Sequence, residues 1–354
     1  MLYLSEKDVA QIIENDYKWV VDIMREMFQT IGNQDYSLGG KRKASHGLRM
    51  EYDKNSRHHL FIAMPGYLGD PFNVTGLKWH GPMNKWSGRL SDSNYMIYLN
   101  DCDSGQLRAC ISANLLTEYR TAAVSMLAAQ CFASEDIKKI AIIGPGKINT
   151  LIAKGLLSLF SGIEQILVKG RGKTSIEHFV SSIQQENRGI EVTVVDTIEQ
   201  VVKDTDVVSI NTGFQFDELS DAPLVRDQWI KPKSVFLCSS FAFFSDNLIC
   251  RRAINACDFF SMYESYEEEL GSPVYKKLSW LGNRFVDLIR EKRITRNSII
   301  EMSDVILGKK QIDSTSMAPI LFSSGGFALE DIAVAQRIYE KALENNLGIN
   351  LEIG

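Results

Sequence analysis

Residues 140–149 read Ile-Ala-Ile-Ile-Gly-Pro-Gly-Lys-Ile-Asn, and this stretch decides the fold of the chain. Its first four residues are apolar, which predicts a strand buried on both faces of a parallel sheet. The two glycines that follow suit a tight turn and a close approach of backbone to phosphate, at the start of a helix. The third glycine of the G-x-G-x-x-G pattern is replaced by Asn149, so a plain tight turn is the alternative. We predict a dinucleotide-binding loop formed by Gly144, Pro145, Gly146, Lys147, Ile148 and Asn149.

The segment after the next predicted strand bears on the choice of cofactor. A site that prefers NAD usually has an Asp or Glu about 20 residues after the glycine loop, where it binds the ribose 2′-hydroxyl. Residues 168–174 instead read Val-Lys-Gly-Arg-Gly-Lys-Thr, without an acid. We therefore predict NADP(H) over NAD(H), because Arg171, Lys173 and the Thr174 hydroxyl can bind a 2′-phosphate. NAD stays possible, since the alternative is a solvated basic loop.

The predicted secondary structure changes twice along the chain. From about Ser37 to Ile111 it shows short β-like runs separated by turn residues, typical of a mostly antiparallel sheet. One of these runs, 60–64, is predicted to end at Pro65-Gly66. From near Ile137 apolar strands alternate with helical stretches, which predicts a parallel α/β sheet. A long helix is predicted over about 329–345.

Composition narrows the class of protein. A length of 354 residues allows two domains, and a net charge of −5 with pI 5.7 favours neither nucleic acid nor an anionic membrane as partner. We expect no signal peptide and no membrane span, because no uncharged apolar segment approaches roughly 18 residues. The six cysteines form no CxxC pair and the histidines lack i, i+4 spacing, so we expect reduced thiols, no metal and a cytoplasmic protein.

Five short motifs follow one another along nearly the whole chain: 76–79 (Gly-Leu-Lys-Trp), 99–101 with Ser104-Gly105, 119–123 (Tyr-Arg-Thr-Ala-Ala), 144–149 and 322–331. In order and spacing they resemble the ornithine cyclodeaminase/mu-crystallin family. The resemblance implies a Rossmann-like parallel sheet domain inserted into a mixed α+β domain for substrate binding and dimerisation. On this basis residues 131–319 are expected to form the dinucleotide-binding domain, and residues 1–130 with 320–354 the other. A homodimer is also implied.

The resemblance further implies the residues of the site. Its carboxylate-binding cations match Arg49, Lys78 and Arg120, and Gly325 is implied to lie near the substrate. Each cation alone would more often be a surface charge, but three cations suit an α-carboxylate. Lys78 lies in an apolar stretch, so we predict a lowered pKa and a catalytic role in proton transfer. Contacts to the cofactor are implied at Ser91, Arg120, Thr212, Ser239 and Ser324.

Two acidic positions receive a structural interpretation. Asp331 is expected to complement the dipole at the start of the C-terminal helix. Cyclodeaminases carry a catalytic Asp shortly after the strand that here ends near Cys238, and Ala242 or a neighbouring hydrophobe occupies that position. Asp246 is expected at the start of the next helix, where Asp is a common cap. Phe241, Phe243 and Phe244 indicate either a less polar substrate end or core packing.

These residues predict an NAD(P)-dependent oxidoreductase acting on the C–N bond of an amino acid or imino acid, by imine reduction or amino acid dehydrogenation. One alternative is a siderophore-type N-(amino-carboxyethyl)-glutamate dehydrogenase that releases an amino acid and a keto acid. Ornithine cyclodeaminase is a weaker alternative, because its acid is missing. A non-catalytic protein that binds the cofactor or a small ligand is the alternative from another class.

Overall fold

The structure is a computed structural model that describes residues 1–51, 60–81, 94–187, 189–212 and 222–352. The chain divides into two compact units, Met1–Arg120 with Phe327–Gly354 (unit 1) and Thr121–Gly326 (unit 2). The predicted limits at residues 131 and 320 lie inside unit 2, whose sheet includes residues 320–323 as a strand. Assignment of the units to substrate and cofactor binding stays a prediction.

Unit 1 contains elements from both ends of the chain. Its N-terminal elements are β1 (Leu2–Leu4), α1 (Glu6–Ile13), α2 (Tyr17–Gly32), β2 (Tyr36–Leu38), β3 (Leu48–Glu51), β4 (Leu60–Leu68), β5 (Val74–His80), β6 (Tyr95–Asn100), β7 (Leu107–Ser112) and the start of α3 (Asn114–Phe132). Unit 2 then supplies β8 (Lys139–Ile143), α4 (Lys147–Leu159), β9 (Gln165–Lys169), α5 (Lys173–Glu186), β10 (Glu191–Val194), α6 (Ile198–Val202), β11 (Val207–Ile210), β12 (Val235–Cys238), α7 (Asp246–Arg251), β13 (Ile254–Cys257), α8 (Phe260–Leu270), α9 (Leu281–Arg290), β14 (Ile299–Glu301), α10 (Met302–Ile306) and β15 (Ile320–Ser323). The chain returns to unit 1 with α11 (Ala328–Glu344) and β16 (Ile349–Asn350).

The sheet of unit 1 has the order β16-β1-β7-β6-β5-β4-β2, with β3 also paired to β4. Its strand pairs are antiparallel except β1 with β7, so the predicted, mostly antiparallel sheet is confirmed. Helix α11 packs on the faces of β4, β5 and β6. The residues of β5 that alternate toward this helix, Val74, Gly76 and Lys78, include one charged side chain in an otherwise apolar layer.

Strand β4 corrects one prediction. It does not end at Pro65-Gly66 but continues to Leu68. Pro65 falls between the segments of β4 that pair with β3 and with β2, so its missing N–H interrupts neither of those two ladders. An added Cβ on Gly66 would lie 2.7 Å from Leu329 of α11, so this glycine permits close helix–sheet packing.

Unit 2 contains an eight-stranded sheet in the order β10-β9-β8-β11-β12-β15-β13-β14. Every pair is parallel, as the apolar run of β8 predicts. Strand β8 lies between β9 and β11, so the strand order reverses at β8. Open parallel sheets bind ligands beyond the carboxyl ends of the strands at such a point. Of the helices in the described ranges, none is long and apolar enough to span a membrane.

Candidate active site

The glycine loop follows β8 at this reversal point. Gly144 has φ +86°, and an added Cβ would lie 2.3 Å from the carbonyl oxygen of Asn211. Gly146 begins α4 without a side-chain cap, and nothing lies within 4 Å of the position of an added Cβ. The loop thus combines a turn that requires glycine with open space before a helix N-terminus. This geometry fits a phosphate of a dinucleotide.

Asn149 has a structural task that the sequence did not reveal. Its side chain is 1% exposed, and Nδ2 donates to the carbonyls of Ile143 at 2.9 Å and Gly144 at 2.8 Å. Its Oδ1 accepts from Ser209 Oγ at 2.7 Å. The amide therefore fastens α4 to β8 and β11 at the position where the fingerprint has a third glycine. The cofactor contact of Asn149 stays a prediction, and its backbone is the part left to make it.

The basic loop lies beside the glycine loop. An added Cβ on Gly170 would lie 2.8 Å from Pro145 Cγ, so the two loops pack together. Arg171, Lys173 and Thr174 are exposed, and α5 begins at Lys173 without a side-chain cap. The helix start and the two cations therefore point to an anion site next to the glycine loop.

Three further predicted cofactor residues lie at the carboxyl ends of neighbouring strands. The N–H of Thr212 donates to Ser240 Oγ at 2.9 Å, and Ser239 Oγ accepts from Asn211 Nδ2 at 2.9 Å. Ser324, after β15, donates its N–H to the carbonyl of Cys238 at 3.0 Å. The structure thus brings these residues to the same edge of the sheet as the glycine loop. Ser91 lies outside the described residues.

A buried ion cluster lies in unit 1, between β5, α3 and α11. Lys78 is 2% exposed, and its Nζ donates to Asp331 Oδ1 at 2.7 Å. The same oxygen accepts from Arg120 Nε at 3.1 Å and from Thr117 Oγ1 at 3.2 Å. Arg120 also pairs with Glu330. Asp331 is therefore more than a charge at a helix start, because it joins two of the three predicted substrate-binding cations.

Burial and charge set the protonation states in this cluster. Burial lowers the pKa of Lys78 to about 8, although Asp331 opposes the shift. Burial also disfavours the ionised form of Asp331, but Arg120 and Lys78 outweigh it and lower its pKa. The pKa of Arg120 is raised, because Asp331 and Glu330 overcome the effect of burial. Lys78 is thus the member whose proton is exchangeable near neutral pH.

Two histidines border the cluster and were missed by the sequence reasoning. Burial and the nearby cations Lys78 and Arg120 lower the pKa of His46 to about 3. Burial and Lys78 lower the pKa of His80 to about 4, and its ring centroid lies 4.6 Å from that of Tyr95. Both imidazoles are therefore neutral at pH 7 and can serve as hydrogen-bonding groups without adding charge.

Arg49 lies on β3 and differs from the other two cations in being exposed. It pairs across the sheet with Ile62, which pairs in turn with His80, so Arg49 and His80 share one face. Its charge also contributes to the lowered pKa of His46.

The stretch after β12 is packed into unit 2. Phe241 is 2% exposed and meets Trp280 edge to face at 5.6 Å between ring centroids, and Ala242 is fully buried. Asp246 is the first residue of α7, whose cap is Ser245, and Arg284 Nη2 binds it at 2.6 Å. This aromatic run had two interpretations, a less polar substrate end and core packing. The burial of Phe241 supports core packing. Among the described His, Cys, Asp and Glu residues, no group of three could hold a metal ion.

One unit has a parallel sheet with a glycine loop that fits a phosphate, and the other has the buried ion cluster. This combination is typical of a nicotinamide-dependent oxidoreductase. The chain matches the ornithine cyclodeaminase/mu-crystallin family over residues 13–346 and belongs to that family. The predicted family is therefore confirmed.

Individual proteins agree with this assignment. The N-((2S)-2-amino-2-carboxyethyl)-L-glutamate dehydrogenase of Staphylococcus aureus is 24% identical over 356 residues, covering 100% of this chain and 98% of the relative. A Δ1-pyrroline-2-carboxylate reductase structure from Thermococcus litoralis, in complex with NADH and L-proline, has a TM-score of 0.78 at 23% identity and covers 99% of this chain and 100% of its own. An archaeal alanine dehydrogenase dimer with bound NAD has a TM-score of 0.78 at 21% identity, with coverage of 100% and 99%. The predicted fold class and the class of oxidoreductase acting on C–N bonds are confirmed.

Proposed function

We propose that this protein reduces the C=N bond of an α-imino acid, or oxidises the corresponding amino acid, with NADP(H) in preference to NAD(H). The observation that carries the proposal is the buried cluster of Lys78 and Arg120 around Asp331. A cation in an apolar layer requires a partner, and Lys78 and Arg120 have Asp331 and Glu330 as theirs. A substrate carboxylate is the further ligand that we expect beside these cations.

Substrate binding follows from the donors that the cations carry. An α-carboxylate is the substrate group that these donors match. The guanidinium groups of Arg49 and Arg120 supply the planar donors that carboxylates accept. The neutral His46 and His80 add hydrogen-bonding groups without repelling a cationic imine. We therefore place the substrate carboxylate near these cations.

Proton transfer is assigned to Lys78. A bound nicotinamide supplies or accepts the hydride at Cα. The nitrogen gains one proton for each imine reduced, and the Lys78 ammonium can hold that proton at Nζ. A pKa of about 8 for Lys78 suits this task, because general acids work best when their pKa lies near the working pH. Asp331 orients Nζ through the 2.7 Å hydrogen bond.

The cofactor would be held by unit 2. The glycine loop and the start of α4 fit the pyrophosphate, and Ser239 and Ser324 stand at the neighbouring strand ends. Arg171 and Lys173 support the preference for NADP(H), since both are exposed beside the loop and no acid occurs between Val168 and Thr174.

A homodimer in the cytoplasm completes the proposal. The face of the unit 1 sheet opposite α11 carries Leu48, 76% exposed, and Met50, 50% exposed. Phe61 and Trp79 stack on the same face with ring centroids 5.2 Å apart. Such an apolar sheet face is suited to a second copy of the chain. The six cysteines are free thiols, which supports a reducing compartment.

Full-length similarity to the staphylococcal dehydrogenase favours a second candidate. For this second candidate function, the substrate is a secondary amine whose nitrogen joins two amino-acid skeletons. Oxidation at its C–N bond gives an imine that water splits into an amino acid and a keto acid. The substrate then carries several carboxylates, so it would need more than one carboxylate-binding group.

The deciding experiment offers the purified protein NADPH or NADH with cyclic and acyclic α-imino acids, and the oxidised cofactors with amino acids and N-(2-amino-2-carboxyethyl)-L-glutamate. Saturable, imine-dependent loss of the reduced-nicotinamide absorbance supports the proposal, and turnover of only the secondary amine supports the second candidate. Cofactor binding without turnover of any substrate points to a non-catalytic protein. Lys78→Met should abolish most turnover, whereas the control Lys138→Met, at an exposed ion pair with Glu164, should not.

A further inference from the structure

Asp258 is a buried acid to which the sequence assigned no role. It follows β13 and is 1% exposed. Its Oδ2 accepts the backbone N–H groups of Gly325 at 2.8 Å and Gly326 at 3.3 Å. Its Oδ1 accepts the N–H of Phe259 at 2.7 Å and the hydroxyl of Tyr263 at 3.0 Å. Four donors thus converge on one carboxylate, which is the usual way to satisfy a buried charge.

The same carboxylate belongs to a chain of hydrogen bonds that reaches β15. The N–H of Asp258 donates to the carbonyl of Ser323 at 3.1 Å. Ser323 Oγ donates to the Tyr263 hydroxyl at 3.1 Å and accepts the N–H of Gly282 at 2.9 Å. The segment after β15 is therefore fixed from both β13 and α8.

The held segment has little freedom of its own. Gly326 has φ +71°, a conformation that favours glycine. An added Cβ on Gly325 would lie 2.5 Å from Met262 Cε and 3.3 Å from the Tyr263 hydroxyl oxygen, so side chains of α8 pack against this backbone. Without Asp258, the two amide N–H groups would lose their buried acceptor and this backbone would lose its anchor.

We propose that Asp258 is a positioning residue for the reaction: it fixes the segment 324–326 and thereby aligns Ser324 with the cofactor and Gly325 with the substrate. This inference rests on the proposed function, in which Ser324 lies beside the cofactor, and on the substrate contact of Gly325 that the family resemblance implies. The contacts of Asp258 also exclude one mode of binding for the substrate carboxylate. The N–H groups of Gly325 and Gly326 are already used by Asp258, so they do not bind the substrate carboxylate.

Protonation of Asp258 should weaken this anchor. Burial raises the pKa of Asp258 to about 6, and the hydrogen bonds from Phe259, Gly325 and Tyr263 limit the rise. The titratable groups that face it are Tyr263 and Cys257, and burial raises the pKa of both, so they stay neutral at neutral and acidic pH. Glu301, which accepts the N–H of Phe260, is the acid on the neighbouring strand. Activity should therefore fall on the acid side with a limb near pH 6, since a protonated carboxyl accepts fewer N–H groups.

Asp258→Asn tests the proposal, with Asp287→Asn as the matched control. Asp287 is 3% exposed and accepts the N–H groups of Val274 at 2.9 Å and Tyr275 at 3.0 Å, also in unit 2. We expect Asp258→Asn to lower kcat for imine reduction at least about tenfold and to remove the acid limb, as expected for a lost positioning contact. Asp287→Asn should keep kcat and the limb, even where its Tm falls equally.

Tyr263→Phe serves as a second variant should Asp258→Asn not fold. It removes a hydrogen bond that lowers the pKa of Asp258, so the acid limb should move to higher pH. An unchanged limb in Tyr263→Phe, or unchanged kcat in Asp258→Asn, overturns the inference while leaving the proposed function intact. Equal losses of kcat in the Asp258 and Asp287 variants overturn it as well, because they indicate only a structural role. A wild-type protein that reduces no imine overturns the proposed function, and this inference with it.

Discussion

Asp331→Asn separates the proton-transfer role of Lys78 from simple charge pairing. In the wild type, the rate of imine reduction should fall above pH 8, where Lys78 loses its proton, because its pKa is about 8. Burial is the main cause of that lowered pKa, and the carboxylate of Asp331 is the main influence opposing it. Replacing Asp331 by the neutral Asn removes the opposing charge, so the pKa of Lys78 must fall further.

The size of the shift follows from the geometry. Lys78 Nζ and Asp331 Oδ1 are 2.7 Å apart and buried. The charge of the carboxylate is shared by its two oxygens, so the charge centres are taken as about 4 Å apart. At an effective dielectric constant of about 20 they interact by about 4 kcal/mol, which corresponds to about three pKa units. Arg120 binds the same oxygen, so part of the carboxylate's field is already compensated. We expect the basic limb of the rate profile to move down by about two units, roughly two thirds of that maximum.

The assay is kcat/KM for reduction of one cyclic imino acid by NADPH, measured across the pH range that contains the limb. Using the same substrate for each variant cancels any ionisation of the imine itself. Thr117→Val is the matched control, because it removes a 3.2 Å hydrogen bond to the same oxygen without changing a charge. Its limb should stay near pH 8. A limb that stays near pH 8 in Asp331→Asn, or that moves upward, refutes the assignment of the proton to Lys78.

Three further predictions address the cofactor and the assembly. Gly144→Ala should weaken NADPH binding at least about tenfold. A non-glycine residue at positive φ is strained by about 1–3 kcal/mol, and its Cβ would lie 2.3 Å from the Asn211 oxygen. A fluorescence titration that gave wild-type affinity would contradict the loop assignment. Arg171→Ala combined with Lys173→Ala should raise Kd for NADPH by about ten- to a hundredfold, the equivalent of one charge-assisted hydrogen bond of about 1.5–3 kcal/mol, because both cations are exposed and solvent weakens their interactions. The same titration with NADH should show little change, and equal losses for both cofactors would speak against a 2′-phosphate site. Leu48→Glu combined with Met50→Glu should give monomers in analytical ultracentrifugation where the wild type sediments as the proposed dimer, and a variant that stays dimeric would exclude this face as the interface.

Local sequence patterns sufficed where a structure depends on neighbouring residues. The apolar run of β8 and the glycines that follow it predict a parallel strand, a tight turn and a helix start, and the structure confirms these elements. Prediction was wrong at Pro65, because the end of a strand depends on which partners flank it, and those partners come from elsewhere in the chain.

The candidate site was harder to predict from the sequence, because the residues that contact one another in it are far apart along the chain. Asp331 lies 253 residues from Lys78 and 211 from Arg120, so nothing near it in the sequence indicates these ion pairs. Its position at a helix start already has an ordinary explanation in the helix dipole. Asp258 likewise lies 67 residues from the amide of Gly325 that it binds. Resemblance to a family supplied the cations, but only folding shows which carboxylates accompany them.

The buried ion cluster also limits how this protein can change. Removing one partner of a buried pair leaves an unbalanced charge, which typically costs about 3–5 kcal/mol, whereas replacing the whole group by apolar residues can be neutral. Lys78, Arg120, Glu330 and Asp331 share such contacts, and the energetic effects of touching residues are not additive. Stepwise substitution at these positions therefore passes through unstable intermediates. Under the proposed function, altering the substrate charge that the protein accepts would require paired replacements, on α11 and on the strand or helix that faces it.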